Sequence, residues 1–346
     1  MTTPHPPHIL AFDLGGANLK VANGLGHAAS YPFALWQEFA NLPEKLREII
    51  RLSPPCEQLA VTMTGELADC FATKAEGVRF ILNAVQNAAE HRNIHVYMCN
   101  GRFVSLNVAM QSPQLAAAAN WHALAKFAAR FNRDETDVAS LLIDIGSTTT
   151  DLIPIVAGKV VARGTTDTTR LLQHELVYTG VERTPVCALV SELPYRGERC
   201  PIAREYFATT YDVYLLLHDL PENPHDCRTA DHRPATCRPA EIRLGRMIAA
   251  DETECNAHDA LAIATEIANA QTALLVHAAQ QVLSRFNGPP QSYILAGQGE
   301  FLARRVLEHL PPVRRIVSLS RELGPLISQC APAHAVAILA REELQT

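Results

Sequence analysis

The chain has 346 residues, 48% of them hydrophobic, and its 30 basic and 36 acidic residues give a net charge of -6. This length allows two domains, each with its own core, and the apolar content is typical of a well-packed globular protein. The acidic balance argues against sequence-independent binding to nucleic acid, because phosphate backbones are held by Lys and Arg. A phosphate-bearing ligand would need local positive groups or a metal ion.

The sequence also indicates where the protein works. No window reaches the roughly 18 apolar residues that a membrane span needs. Residues 1–8, MTTPHPPH, are interpreted as a disordered tail, since they hold three prolines and show no helical or strand periodicity; they also lack the charged start and apolar middle of a signal peptide. Nine cysteines, an odd number, are scattered along the chain, which is the pattern of a reduced compartment. We expect a cytoplasmic protein with no membrane partner, and a homodimer is one option.

The stretch Ala139 to Ile153, ASLLIDIGSTTTDLI, organises the rest of the chain. An apolar run ends in Asp144, a turn with Gly146 and four hydroxyl residues follows, and a second apolar run begins. This pattern predicts a strand, a phosphate-sized loop and a second strand. Residues 8–24, HILAFDLGGANLKVANG, repeat the pattern with Asp13 at the strand end. We therefore expect two facing loops.

The segments between these two hairpins predict the rest of a first α/β domain, over residues 9–140. Hydroxyl and carboxylate groups at a strand's end are where open α/β sheets place chemistry, and QLAVTMTGELADCF ends in such a cluster. Hydrophobic periodicity predicts a helix over 36–51, a strand within 58–71, a strand over 94–100 and a helix over 112–131.

The second domain is predicted over residues 141–346. Its segment 164–186 carries many groups able to contact a ligand, although a helix and strand with satisfied polar caps would look the same. A helix over 259–287, a strand, glycine turn and helix over 291–310, and a helix over 331–343 follow. The turn, with Gly297 and Gly299, would let backbone approach a phosphate at a helix N-terminus.

Residues from about 195 to 260 differ from the rest in being rich in Pro, His, Cys and Asp. We interpret this part as an inserted loop region, with an extended loop over 222–239 between two helices. Zinc is the alternative for this loop, but the ligand spacing matches no zinc signature, so a structural loop is favoured. The candidate ligands are His225, Cys227, His232 and Cys237.

The order of these motifs resembles the sugar kinase, Hsp70 and actin superfamily, in which two ribonuclease-H-like domains clamp a phosphate compound. FDLGGANLK, TMTGELAD and LLIDIGSTTTDLI are similar to its hydantoinase and oxoprolinase branch. GTTDTTRLLQHELVYTGVERTPV, the Asn120-Trp121 pair, REYFATTYDVYLLL and RLGRMIAAD resemble small members linked to tetrahydromethanopterin-dependent one-carbon metabolism. The resemblance implies an α/β fold of two ribonuclease-H-like domains with a cleft between them.

The resemblance also implies an activity. It implies a transferase of methanofuran or methylofuran biosynthesis, which joins an aminomethylfuran-methyl diphosphate to a tyramine- or tyrosine-type phenol and releases diphosphate. The chain is shorter than the amidohydrolase subunits of the branch, and its AGQGE turn is poor in glycine. Two alternatives stay open: an ATP-dependent hydantoinase-like enzyme or small-molecule kinase, and a nucleotide-binding regulatory protein.

Under this hypothesis each candidate residue has a role. Backbone and side chains at the turns would bind phosphate through Gly15, Gly16, Lys20, Gly146, Ser147, Thr148, Thr149, Gly297 and Gly299. Mg²⁺ would be held by Asp13 and Asp144. The base that takes the phenol proton would be Glu66, Asp69 or Glu175. The substrates would contact Thr64, Asp167, Arg170, Tyr178 and Arg183, with Arg170 or Arg183 gripping a carboxylate.

Overall fold

The computed structural model describes residues 8–132 and 139–344 and contains two mixed β-sheets. The first sheet has the strand order β3-β2-β1-β4-β5-β6. Its strand β1 is buried along its whole length, as the apolar run predicts. The strands of this sheet are β1 (Ile9–Leu14), β2 (Asn18–Ala22), β3 (Ala28–Pro32), β4 (Gln58–Met63), β5 (Asn93–Tyr97) and β6 (Phe103–Ser105).

The second sheet repeats this arrangement. Its order is β10-β8-β7-β13-β14, with β9 also paired to β8, while β11 and β12 form a separate hairpin. The strands are β7 (Ala139–Ile145), β8 (Thr150–Val156), β9 (Lys159–Val160), β10 (Leu176–Val177), β11 (Glu192–Tyr195), β12 (Glu198–Pro201), β13 (Ser292–Ala296) and β14 (Arg315–Ser318).

The two sheets share one topology. In the first, β1 pairs antiparallel with β2 and parallel with β4. In the second, β7 pairs antiparallel with β8 and parallel with β13. A hairpin followed by parallel strands is the arrangement expected of ribonuclease-H-like halves, so the predicted fold class and both predicted hairpins are confirmed.

Helices connect the strands and cover the sheets. They are α1 (Leu35–Glu38), α2 (Leu42–Leu52), α3 (Lys74–Ala89), α4 (Leu106–Gln111), α5 (Pro113–Ala116), α6 (Asn120–Ala128), α7 (Asp167–Leu172), α8 (Thr210–Leu216), α9 (Cys237–Arg246), α10 (Ala257–Leu283), α11 (Glu300–Leu307), α12 (Leu319–Leu323), α13 (Pro325–Gln329) and α14 (Ala331–Leu344). Short 3₁₀ turns lie at Phe39–Asn41, Ala129–Asn132 and Val186–Ala188.

Helices α6 and α14 lie between the two sheets and join them. Their apolar side chains share one core with Ile9 of β1 and Leu142 of β7. The predicted boundary near residue 140 separates the sheets, but α14, in the predicted second domain, packs on β1 and β4 of the first sheet. The division of the chain into domains stays a prediction.

The structure interrupts the helix predicted over 112–131 and contains a helix that the sequence did not predict. The helix expected over 112–131 is interrupted, because Ala118 adopts φ 46° and the chain restarts as α6 at Asn120. No element was predicted over Lys74–Ala89, where the structure has α3, capped by the Thr73 side chain. Within residues 8–132 and 139–344, no helix is long and apolar enough to cross a membrane.

Candidate active site

The turns of the two hairpins have the same geometry. The Gly15 amide donates to the Asn18 carbonyl at 3.0 Å, and the Gly146 amide donates to the Thr149 carbonyl at 2.9 Å. These bonds close the turns, so Gly15 and Gly146 do not offer their amides to a phosphate as predicted. The amides of Gly16 and Ser147 form no bond with a described residue and remain able to donate.

Strand register makes the polar residues of the two hairpins equivalent. Asp13 lies opposite Lys20 in the first hairpin, and Asp144 lies opposite Asp151 in the second. Each hairpin therefore presents one carboxylate at the end of its first strand. The residue across from it is basic in one hairpin and acidic in the other.

A cavity of about 420 Å³ lies between the turns. Most sequence-predicted site residues line it, which means that the fold brings distant parts of the chain to one cleft. They are Asp13, Gly15, Gly16, Lys20, Thr64, Asp69, Asp144, Gly146, Ser147, Thr148, Thr149, Asp167, Arg170, Tyr178, Arg183 and Gly297. Glu66, Glu175 and Gly299 are not among its lining residues.

The two hairpin carboxyls, Asp13 and Asp144, both have raised pKa values. Burial raises the pKa of Asp13 to about 6, although the Lys20 charge and a hydrogen bond from Asn120 act in the opposite direction. Burial and the repulsion of Asp151 raise the pKa of Asp144 to about 7. Asp13 is 4% exposed, and its Oδ1 has no hydrogen-bond partner. A cation between these carboxyls would relieve the electrostatic cost of ionising them.

The first two residues of α6 touch both hairpins. The Trp121 amide donates to Asn120 Oδ1 at 2.7 Å, while the rest of the Asn120 amide faces Asp13. The Trp121 ring lies 4.2 Å from the Arg170 guanidinium, which donates to Asp151 Oδ1 at 2.5 Å. The start of α6 therefore positions an acid of each half.

Arg170 lines the cleft and is bonded to groups of the second half. Its side chain is 2% exposed, and besides Asp151 it donates to the backbone carbonyl of Glu175 at 3.0 Å. Both bonds come from Nη2, while Nε is buried without a hydrogen-bond partner among the described residues, so a grip on a substrate carboxylate stays a prediction.

Glu175 is also placed away from the chemistry. Its side chain is fully buried and accepts hydrogen bonds from the amides of Arg163 and Gly164 and from the Arg285 guanidinium, at 2.7, 2.8 and 2.8 Å. A carboxylate with all these partners stabilises the fold, so the structure does not support Glu175 as the base.

The other two predicted bases differ in exposure. Glu66 is 1% exposed, and burial, together with repulsion from Asp167, raises its pKa to about 8. It lies behind the cleft, and its Oε2 has no partner. Asp69 is exposed and lines the cleft. Of the three, only Asp69 meets a ligand in the cleft directly.

The glycine turn after β13 packs against the second hairpin. Gly297 has φ 82°, and a Cβ there would lie 2.3 Å from the Ile145 carbonyl oxygen and 2.6 Å from Asp144 Oδ1. Glycine is required because the backbone passes so close to the carboxyl. A Cβ on Gly299 would meet the Ile145 side chain at 2.5 Å, and the Gly299 amide donates to the Ile145 carbonyl at 2.9 Å, so Gly299 packs closely on the second hairpin and its role in phosphate binding stays a prediction.

The mouth of the cleft joins the two halves. Lys74 of α3 forms a 2.7 Å ion pair with Asp167 of α7, and the Arg183 guanidinium lies 4.7 Å from the Trp36 ring. Arg183 forms no ion pair with a described residue. Tyr178, 59% exposed, adds aromatic surface. The mouth thus combines flat apolar groups with an unpaired guanidinium.

Several residues of the site escaped the sequence analysis. Asp151 could have been found, because it stands opposite Asp144 in a hairpin as Lys20 stands opposite Asp13. Tertiary packing brings in the others, two of which, Asn120 and Gln298, lie in motifs already quoted from the sequence. They are Trp36, Asn120, Gln298, Ser328 and Gln329.

The four candidate zinc ligands of the loop over 222–239 differ in their surroundings. Cys237 begins α9 and its thiol faces the Leu215 carbonyl at 3.5 Å, while Cys227 is exposed. In the described part of the chain, no group of three or more His, Cys, Asp or Glu could hold a metal ion. Asp226 instead pairs with Arg228 at 2.7 Å and organises the loop.

Two ribonuclease-H-like halves, each with a carboxylate at the end of the first strand of its hairpin, define an actin-like α/β fold. Residues 57–342 match the model of the hydantoinase/oxoprolinase family, and the chain belongs to that family. The solved nucleotide-free structure of acetone carboxylase, from work on ATP-dependent acetone carboxylation, is similar to this chain, with a TM-score of 0.55 and 10% sequence identity. The match covers 96% of this chain and 70% of the acetone carboxylase chain, and it supports the fold only.

Two curated relatives carry the name (4-{4-[2-(gamma-L-glutamylamino)ethyl]phenoxymethyl}furan-2-yl)methanamine synthase. The protein of Methanocaldococcus jannaschii is 32% identical over 97% of this chain and 98% of its own length. That of Methanococcus vannielii is 32% identical over 62% of this chain and 97% of its own length. The predicted family is confirmed, and the names agree with the prediction of an enzyme.

Proposed function

We propose that this protein is a transferase that joins an aminomethylfuran-methyl diphosphate to a tyramine- or tyrosine-type phenol. It releases diphosphate and makes an ether in the synthesis of a methanofuran- or methylofuran-type cofactor. The names of the two relatives describe such an ether. The observation that carries the proposal is the pair of equivalent turns with Asp13 and Asp144 at one cleft.

The turns hold the diphosphate. The free amides of Gly16 and Ser147, with the hydroxyls of Thr148 and Thr149, donate to phosphate oxygens, and Lys20 supplies positive charge. These donors stabilise the negative charge that grows as the carbon–oxygen bond to the diphosphate breaks. Losing one donor of this kind typically costs about 10²–10³ in rate.

The acids of the turns fit Mg²⁺. Asp13 and Asp144 would hold the ion, and the partnerless Oδ1 of Asp13 is a free ligand atom for it. Mg²⁺ is usually held by one or two carboxylates together with waters and substrate phosphates, which agrees with a pair of acids. When bound, the ion neutralises charge on the departing diphosphate.

The mouth of the cleft receives the phenol. Trp36, Leu67 and Tyr178 offer apolar surface to an aromatic ring, and Arg183 pairs with a carboxylate on the phenol's tail. Asp69 takes the phenol proton as the phenol oxygen bonds to the furan methylene carbon. The bond from that carbon to the diphosphate oxygen breaks, and its electron pair leaves with diphosphate.

Turnover of an aminomethylfuran-methyl diphosphate with tyramine, glutamyl-tyramine and tyrosine tests this function. We expect one ether and one diphosphate per cycle, and Asp144→Asn should lose at least about 10²-fold in kcat while staying folded. Glu198→Gln, an exposed change on β12, is the matched control. Full turnover by folded Asp144→Asn would refute the role of the clamp.

An ATP-using enzyme of the same family is the second candidate. A second cavity of about 490 Å³ adjoins the cleft at Gly297 and Gln298 and is large enough for a nucleoside. Calorimetry with Mg²⁺ and either ATP or diphosphate separates the two. Tight binding of ATP would favour this candidate, and binding of neither would exclude both.

A further inference from the structure

The second cavity is continuous with the diphosphate clamp. The two cavities share Gly297, Gln298, Ser328 and Gln329 in their walls. The loop over 222–239 contributes Asn223, which gives this unusual segment a place in the architecture. A ligand anchored by its diphosphate between the turns could therefore extend into the second cavity.

Glu182 stands where the two cavities meet. Its backbone amide donates to the Ser147 carbonyl at 3.0 Å, so its position is tied to the second turn. Its Oε1 accepts from Gln298 Nε2 at 2.9 Å. It forms no ion pair with a described residue, and Arg228, whose charge attracts it, is itself bound to Asp226.

An unpaired, partly buried carboxylate beside an anion clamp is electrostatically unfavourable in the empty protein. Burial accordingly raises the pKa of Glu182. Such a group becomes favourable when the ligand brings its own cation. A second carboxyl, Glu300, lies in the same cavity; its Oε1 pairs with Arg304 at 2.6 Å, and its Oε2 is buried without a hydrogen-bond partner among the described residues.

The remaining walls suit a small aromatic ring. Tyr211 and Phe301 lie in the lining of this cavity. A furan could pack against these rings while a substituent reaches the acids. The names of the two relatives place a methanamine group on the furan, and a primary amine is protonated at neutral pH.

We propose that this cavity is the amine subsite: Glu182, with Glu300, binds the ammonium of the aminomethylfuran substrate and selects for it. The proposal rests on the proposed function. The diphosphate lies between the turns, the furan ring contacts Tyr211 and Phe301, and the ammonium neutralises Glu182. A nucleoside, whose hydroxyls could also bond to a carboxylate, is the competing occupant.

The test compares two furan diphosphates, one with an aminomethyl group and one with a neutral hydroxymethyl group in its place. The wild-type protein should prefer the amine by about 10- to 100-fold in kcat/KM, the range of a charge-assisted hydrogen bond. Glu182→Gln should lose most of this preference, chiefly through KM. Glu198→Gln, exposed on β12, should keep it.

Calorimetry provides a readout that needs no turnover. The diphosphate-free aminomethylfuran alcohol should bind in the presence of Mg²⁺ and inorganic diphosphate, more weakly to Glu182→Gln, with Glu182→Asp intermediate. Equal kcat/KM for the two furans in the wild type would overturn the amine subsite while leaving the transferase intact. Adenosine binding that is lost in Glu182→Gln would also overturn the amine subsite. Turnover of neither furan, with the alcohol still bound through Glu182, would reject only the transferase.

Discussion

Gly180 provides a sharp test of how the second phosphate turn is positioned. A Cβ at this residue would lie 2.5 Å from backbone atoms of Gly146, Ser147 and Thr148. Gly180 cannot retreat, because its carbonyl accepts from Thr210 and Gln271, each at 2.9 Å. In Gly180→Ala the turn must therefore move by about 1 Å to reach ordinary contact distances.

A displacement of about 1 Å at a reacting group costs on the order of 10²-fold in rate, and overpacking costs about 1–3 kcal/mol of stability. We expect Gly180→Ala to lower diphosphate affinity and kcat/KM together, measured by calorimetry and by turnover. Glu198→Gln, an exposed change on β12 outside the cleft, is the control. Unchanged diphosphate affinity in Gly180→Ala would refute this reasoning.

Three further variants test other parts of the site. The pKa of Glu66 is raised from 4.5 to about 8. The free energy of unfolding that this group contributes is therefore fully present below pH 4.5 and is lost as the pH rises through about 8. Asp13 and Asp144, whose pKa values are also raised, contribute to both proteins, so in urea unfolding the free energy of the wild type should fall about 1.4 kcal/mol per pH unit more steeply than that of Glu66→Gln in that window; equal slopes would contradict this. Trp121→Leu removes the ring beside Arg170 and should lower kcat/KM about tenfold or more, because a desolvated cation–π contact contributes about 2 kcal/mol. Trp121→Phe, which keeps a ring, should lie closer to the wild type. Equal rates in the two variants would contradict this expectation. Lys74→Met breaks a half-exposed ion pair across the cleft and should change the unfolding free energy by under about 1 kcal/mol while raising KM; an unchanged KM would show that the pair does not shape the site.

The hairpins and the fold could be predicted because their signals are local. Apolar runs that end in an acid and a glycine-rich turn determine a β-hairpin within about 15 residues. Two such hairpins in the right order sufficed to place Asp13, Lys20 and Asp144 in one cleft. The helix α3 was missed although it has a clear Thr73 cap, and with it Lys74.

The roles of individual charged residues could not be predicted in the same way. Glu175 and Arg170 have the residue types of a catalytic site, yet both are buried in ion pairs. The partner of Glu175 is Arg285, 110 residues away in sequence, and no local pattern reveals such pairing. Asn120 is an equally distant contributor, brought to Asp13 only by the packing of α6 between the sheets.

The central claim is that the clamp releases diphosphate from a furan and does not hydrolyse a nucleotide. The most direct measurement is product analysis, by mass spectrometry and phosphate assay, of a reaction with the furan diphosphate, the phenol and Mg²⁺ but no ATP. The account predicts ether and diphosphate in equal amounts. A requirement for ATP, or release of orthophosphate in place of diphosphate, would contradict it.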